Sequence, residues 1–254
     1  MTKLFKRLLG ILAGIIVSLL IVIVLSYFFI QSDAFNKWAL ELTLEEINSS
    51  WQEKDNRITA DSLTGNVLTG LTLHNGAILT KGDSLLRFNH IDIKYDIWGL
   101  LDHEIRLDHV KLNSPELNLA KVKNGEDIGW NFMDLFSSSE EEDTSASAFD
   151  WDIKVENLKV ENGSMKFFGN VNDTLPLWKR VFAKLDSLDI DRLYVKDLEM
   201  ELSADYYKDK KNLSLKNLSF NTNSDFNVKK LKLDAFINMK DSVTDLAGFE
   251  LITN

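Results

Sequence analysis

Apolar residues recur along most of the chain at i, i+2, i+5 and i+7. This is strand alternation broken once by a two-residue skip, where an amphipathic helix would show i, i+3, i+4 and i+7. The template fits Leu86/Phe88/Ile91/Ile93, Ile105/Leu107/Val110/Leu112, Ile153/Val155/Leu158/Val160, Leu188/Ile190/Leu193/Val195, Leu213/Leu215/Leu218/Phe220 and Phe226/Val228/Leu231/Leu233. Its recurrence predicts a repeat-built, mainly β body from Arg57 onward. Gly65, Gly70, Gly76 and Gly82 punctuate the first strands as bends or bulges, where a side chain would obstruct the backbone. Ile97 to Leu101 reads as a helical turn, Ser114-Pro115 as a corner and Asn124-Gly125 as a tight turn. Leu175 to Leu185 reads as a short helix between strands.

The N-terminal part follows a different period. Residues 8–30 carry no charge, and at ~1.5 Å per residue they reach the ~30 Å of a bilayer hydrocarbon core. They are expected to form an uncleaved transmembrane helix, since the run exceeds a signal-peptide core and offers no small-x-small cleavage site. Lys3, Lys6 and Arg7 precede it and Asp33 is the first charge after it, so residues 1–7 are expected in the cytoplasm and the bulk across the membrane. Residues 31–50 then read as a short amphipathic helix capped by Asp33, with Phe35, Trp38, Leu42 and Ile47 on one side. No basic face accompanies that side, so plugging the end of the β core is the preferred role over lying on a membrane.

Residues 137–148, SSSEEEDTSASA, have almost no apolar content and a block of four acids, so burial cannot repay their ordering. They are expected to form a mobile loop dividing the body into β units at 57–136 and 149–254. Few amphipathic helices are available to cover the sheet. Its apolar face must therefore pack on a second sheet, close as a barrel, or curl into a trough around an apolar ligand. Periodicity does not choose among these, and the sandwich is the commoner solution for short strands.

Composition narrows the chemistry. The chain has 254 residues, 44% of them hydrophobic and 27% charged, which is a globular balance. A net charge of −10 disfavours nucleic acid as a partner, because phosphates require a positive field. Without cysteine there is no disulfide framework, thiolate nucleophile or cysteine-bound metal. His103 and His109 are six apart in HEIRLDH, where a zinc-protease helix needs four, and His74 and His90 show no ligand spacing. Acid pairs Asp189/Asp191 and Glu199/Glu201 alternate with the apolar template and read as a solvated face. No phosphate loop, nucleophile elbow or dinucleotide fingerprint is found, so no catalytic residue, metal or cofactor is assigned.

The order of features resembles a known family. An N-terminal anchor, a short helix, Gly65-Asn66-Val67 through Gly70-Leu71-Thr72-Leu73, Ser84 to Tyr95, and Ile105 to Leu119 with Pro115 resemble the start of AsmA-like and TamB-like envelope proteins. Asn124-Gly125 with Trp130-Asn131-Phe132, the acidic spacer, and Ile153 to Phe168 with Asn162-Gly163 continue the resemblance to about Gly169. The resemblance implies an anchored envelope protein with an elongated, curled antiparallel β-sheet whose concave side is apolar. It also implies a non-catalytic role in conducting phospholipid between membranes, from an inner-membrane anchor with the bulk in the periplasm. The groove candidates are Leu86, Phe88, Ile91, Ile93, Ile105, Leu107, Val110, Leu112, Ile153, Val155, Leu158, Val160, Leu213, Leu215, Leu218 and Phe220.

Exposing two acyl chains of about sixteen carbons to water costs ~25 kcal/mol at ~0.8 kcal/mol per methylene, so a shielding trough would remove most of the barrier to crossing an aqueous space. At ~4.8 Å per strand, a body of about 10–14 strands would form a groove ~50–65 Å long. The alternative reading is an anchored scaffold that binds an outer-membrane or envelope assembly protein through an exposed strand edge near Phe249 to Ile252.

Overall fold

The computed structural model describes residues 18–22, 24–51, 55–124, 127–136, 151–169, 189–207, 210–238 and 243–254. Two N-terminal helices, α1 (Ser18–Ile30) and α2 (Asp33–Trp51), precede a twelve-stranded sheet. The strands are β1 (Asn56–Thr59), β2 (Ser62–Asn66), β3 (Gly70–Thr80), β4 (Asp83–Asp96), β5 (Glu104–Asn113), β6 (Glu116–Asn124), β7 (Asp127–Trp130), β8 (Asp152–Phe168), β9 (Tyr194–Tyr206), β10 (Lys210–Thr222), β11 (Asn227–Asn238) and β12 (Val243–Thr253). The predicted tail at 1–7, the acidic loop at 137–148 and the helix at Leu175 to Leu185 lie outside the described residues.

The hydrogen-bonded path runs β1-β3-β4-β5-β8-β9-β10-β11-β12, with β2 on β3, β6 on β4 and β8, and β7 on β6. Strands from 57–136 and from 149–254 thus join in one sheet. Nine strands on the main path give eight spacings of ~4.8 Å, about 38 Å. That is shorter than the expected 50–65 Å, because β2, β6 and β7 do not extend the path.

The sheet is mixed, which corrects the antiparallel expectation. β8 pairs in parallel with β5 (Ile105↔Ile153, Leu112↔Val160) and with β6 (Leu117↔Met165). The 17 residues of β8 are long enough to flank both strands end to end. At their junction Ser114 adopts φ 50°, its N–H donates to the Glu161 carbonyl at 2.8 Å, and the Ser164 N–H donates to the Pro115 carbonyl at 2.7 Å. Alternation encodes which face a residue takes but not strand direction. Parallel neighbours require a long connection, and the chain between Phe136 and Asp152 supplies one.

In β5, β8 and β10 the two-residue skip in the template is a β-bulge. Opposite Leu107 and Val110, β4 offers Tyr95 and Ile93, two residues against three. Val155/Leu158 face Ala204/Leu202, and Leu215/Leu218 face Leu233/Leu231, with the same mismatch. A bulge inserts one residue on one strand, so the residues on either side of it keep the same face. In one segment the template overreached: Ile190–Arg192 is a 3-10 turn capped by Asp189, and β9 begins only at Tyr194.

Ile97–Asp102 forms the predicted helical turn, of 3-10 type, between β4 and β5. Among the described residues no single helix is long and apolar enough to cross a membrane, but α1 and α2, bent by 69° at their junction, together have that length and composition.

Helix α2 forms where predicted, with two corrections. Ser32 Oγ, rather than Asp33, caps it by accepting from the Phe35 N–H at 3.2 Å. Its sheet-facing side is also only in part the expected one: Asn36 is 1% exposed and Phe35 and Ile47 are half-buried, while Trp38 and Leu42 are 54% and 51% exposed. The Asn36 amide donates to the Gly65 carbonyl at 3.1 Å, and Asn48 takes the Ile58 N–H at 2.7 Å and donates to the Ile58 carbonyl at 2.9 Å. Strands β1 and β2 present edge backbone groups that need partners, and amide side chains provide them where leucine cannot.

Candidate functional site

Directly paired residues on neighbouring strands share a face of the sheet, so the register assigns the template residues that lie in strands. One row runs Leu73, Ile91, Leu112, Val160, Met200, Leu218, Leu231, Leu251 across eight strands. A second runs Leu71, Ile93, Val110, Leu158, Leu202, Leu215, Leu233. A third runs Tyr95, Leu107, Val155, Ala204, Leu213, Ala235, Leu246. Ile105 and Ile153 pair beside it, Phe220 pairs with Val228, and Leu86 joins the same side through Leu117 and Met165. The sixteen candidate residues therefore fall on one face.

That face has no second layer among the described residues: each strand packs mainly on its ladder neighbours, and α2 mainly on β1 and β2 at the edge. Edges β1 and β12 are not paired to each other, so the sheet is open. The apposed sheets of a sandwich and the closure of a barrel are both absent from the described residues. Of the candidates, Phe88, Val110 and Val160 are buried, Leu213 is exposed and the others lie between. Exposure grows toward the far edge, reaching 71% at Leu246 and 68% at Phe249.

Phe88 is covered by close approach: a Cβ on Gly76, its partner in β3, would come within 2.0 Å of the ring. Near it, Asn131 closes the free edge of β6. Its Oδ1 accepts from the Ala120 N–H at 3.0 Å and its Nδ2 donates to the Asn118 carbonyl at 2.8 Å, beside the small cluster of Ala120, Phe168 and Val122. In this setting Trp130-Asn131-Phe132 serves packing.

The opposite face carries the charges. Glu161 sits between Lys111 at 2.8 Å and Lys159 at 2.7 Å, and hydrogen bonds from these two ammonium groups hold its carboxyl down at about 2. Lys154 lowers Glu156 and Lys230 lowers Glu250 in the same way, each first through the hydrogen bond. Arg106 bridges Glu104 at 2.5 Å and Asp96 at 3.1 Å. Glu199 and Glu201, read from sequence as solvated, pair here with Ser219 and Asn217. His74 and His90 are cross-strand partners, and His109 stands opposite Lys94.

Of β9 the template names only Val195 and omits Leu198, Met200, Leu202 and Ala204, which alternate strictly without a skip. Simple alternation was the signal there. Residues such as Leu71, Leu73, Leu246 and Leu251 also join the face, but only the register reveals it. No known family profile, curated protein or solved structure matches the chain.

Proposed function

We propose that this chain is a membrane-anchored, non-catalytic envelope protein of the AsmA-like and TamB-like kind. In this reading it shelters phospholipid acyl chains on the apolar face of its sheet and conducts them between membranes. The single observation that supports it most is the convergence of sixteen template residues on one face with no second protein layer over it among the described residues. Twelve strands with no covering helix among the described residues leave apolar surface that water solvates poorly, and acyl chains match it in chemistry and in lack of directionality. α1 supplies the anchor to the inner membrane, and the acidic body lies in the periplasm.

Native mass spectrometry of the detergent-extracted protein tests this reading. Co-purifying phospholipid is expected, and a lipid-free chain would overturn it. Leu213→Asp with Leu246→Asp places two charges in one row at exposed positions flanking Ala235, and is expected to remove the lipid while leaving the fold intact.

A second reading, an anchored scaffold for an envelope assembly partner, draws on β12. This strand pairs only with β11 and carries the exposed Leu246, Phe249 and Ile252. Strand addition at that edge would survive charges introduced in the middle of the face, such as Leu107→Asp with Leu215→Asp, whereas lipid carriage would not.

A further inference from the structure

The two ends of the strands differ in what their connections expose. At one end, the Thr80–Asp83 turn contains Lys81-Gly82, and the β10–β11 connection reads Asn223-Ser224-Asp225-Phe226, its one aromatic 39% exposed. At the other end, the turn between β4 and β5 holds Trp98 at 73% exposure, Leu100 at 46% and Leu101 at 75%. Large apolar side chains this exposed on a short turn contribute nothing to the core.

The turn that presents them is rigidly built. Asp96 Oδ1 accepts from the Trp98 N–H at 3.0 Å, and Arg106 holds the other Asp96 oxygen at 3.1 Å. His103 closes the turn in the left-handed region at φ 58°. Gly99 is buried against the Glu104 carbonyl, which a Cβ there would approach to 2.9 Å. Its partner residues fix the backbone so that Trp98 and Leu101 project outward.

The same end is where α1 leaves the sheet. Asn36, in the first turns of α2, is bonded to Gly65 at the end of β2; Gly65 pairs with Leu71 of β3, and Gly70 and Leu71 pair with Lys94 and Ile93 near the end of β4. Tyr95 donates from its hydroxyl to the Val67 carbonyl, linking that corner to β4. Across the bend, Phe29, Phe35 and Trp38 form a chain of ring contacts with centroids 5.6 Å apart at each step. Tryptophan and other aromatics partition to the headgroup level, where an apolar ring body meets a wet boundary.

We propose that this corner of the sheet is a membrane-seating rim, with Trp98 and Leu101 inserted at the headgroup–acyl boundary of the bilayer that α1 enters. The inference rests on α1 being an anchor. It goes further by fixing which strand end faces the lipid and by placing the β4–β5 end of the apolar face at the bilayer surface, where an acyl chain could pass onto it. No basic cluster is needed for this contact, so it is expected in a zwitterionic bilayer as well as in an anionic one.

The absence of native cysteine allows single-cysteine spin labels in the full chain, reconstituted in phosphatidylcholine nanodiscs. Labels at Leu25 in α1, at Trp98 and Leu101, and at Phe226 near the opposite end are read by oxygen and nickel-complex accessibility. All four native residues are at least 39% exposed, so the substitutions leave the core intact. The expected result is hydrocarbon accessibility at 25, a shift to interfacial or deeper accessibility at 98 and 101, and water accessibility at 226. Labels at 98 and 101 matching 226, while 25 reads as hydrocarbon, would overturn the rim and leave the anchor standing. Water accessibility at 25 would overturn the anchor, and the rim with it.

Discussion

The two faces of the sheet are built from alternate residues of the same strands, yet they satisfy opposite solvents. On β8, Lys154 pairs with Glu156 and Lys159 with Glu161 along the strand, and Lys111 of β5 reaches Glu161, all on one side, while Ile153, Val155, Leu158 and Val160 join apolar rows on the other. Much of the charged face is satisfied within the chain, where ion pairs form at 2.5 to 3.9 Å and remain partly wet. The apolar face is complete only in the middle of the sheet. Val160 is 5% exposed and Val110 9%, but Leu213 reaches 42% and Leu246 71%. A pleated sheet with one wet and one dry side is ordinary; here the dry side has no cover across its outer strands among the described residues.

The largest expected effect comes from placing a charge where the apolar face is driest. Val160→Asp buries a carboxylate among Leu112, Met200 and Leu158 and should cost about 3 kcal/mol or more in denaturant-induced unfolding. Leu213→Asp, on the same face but exposed, should cost under ~1 kcal/mol. Equal losses at the two positions would break the distinction between a packed centre and an uncovered margin. Next, Phe88→Ala should cost about 3 kcal/mol by removing the ring that fills the space over Gly76.

The charged face should respond to pH. Glu161 ionises far more readily in the folded chain than in the unfolded one, where it lies near ~4.3. Its contribution to stability is fully present above that unfolded value and is lost as pH falls toward about 2. Unfolding measured from pH 6 down to 2 should show this loss, and Glu161→Gln should flatten that part of the profile. The smallest effect is expected at Lys230–Glu250, 2.9 Å apart and each over 30% exposed, where Lys230→Ala should leave the denaturant midpoint of unfolding nearly unchanged.

The sequence exposed much of this division before any coordinates. Strand positions, the helical turn at Ile97 and the site of α2 were legible because local period and capping are properties of neighbouring residues. The skip between Leu107 and Val110 was visible as a spacing, but its meaning was not. A bulge is defined by what a partner strand does opposite it, and Tyr95 and Ile93 are distant in sequence. The sheet-facing side of α2 was misread for a related reason. Its contacts are with the edge backbone of Gly65 and Ile58, so polar amides dock and Trp38 stays outside.

The chain alone therefore determined that apolar and polar residues would be sorted to opposite sides of many strands, because alternation is written residue by residue and needs no partner to be read. Only the tertiary structure decided that β8 runs parallel to β5 and β6, that bulges bring sixteen template residues to one face, and that this face has no second layer among the described residues. Strand direction, register and cover depend on which segments meet across long stretches of chain, and those meetings are set by the closure of the whole sheet rather than by any window of sequence.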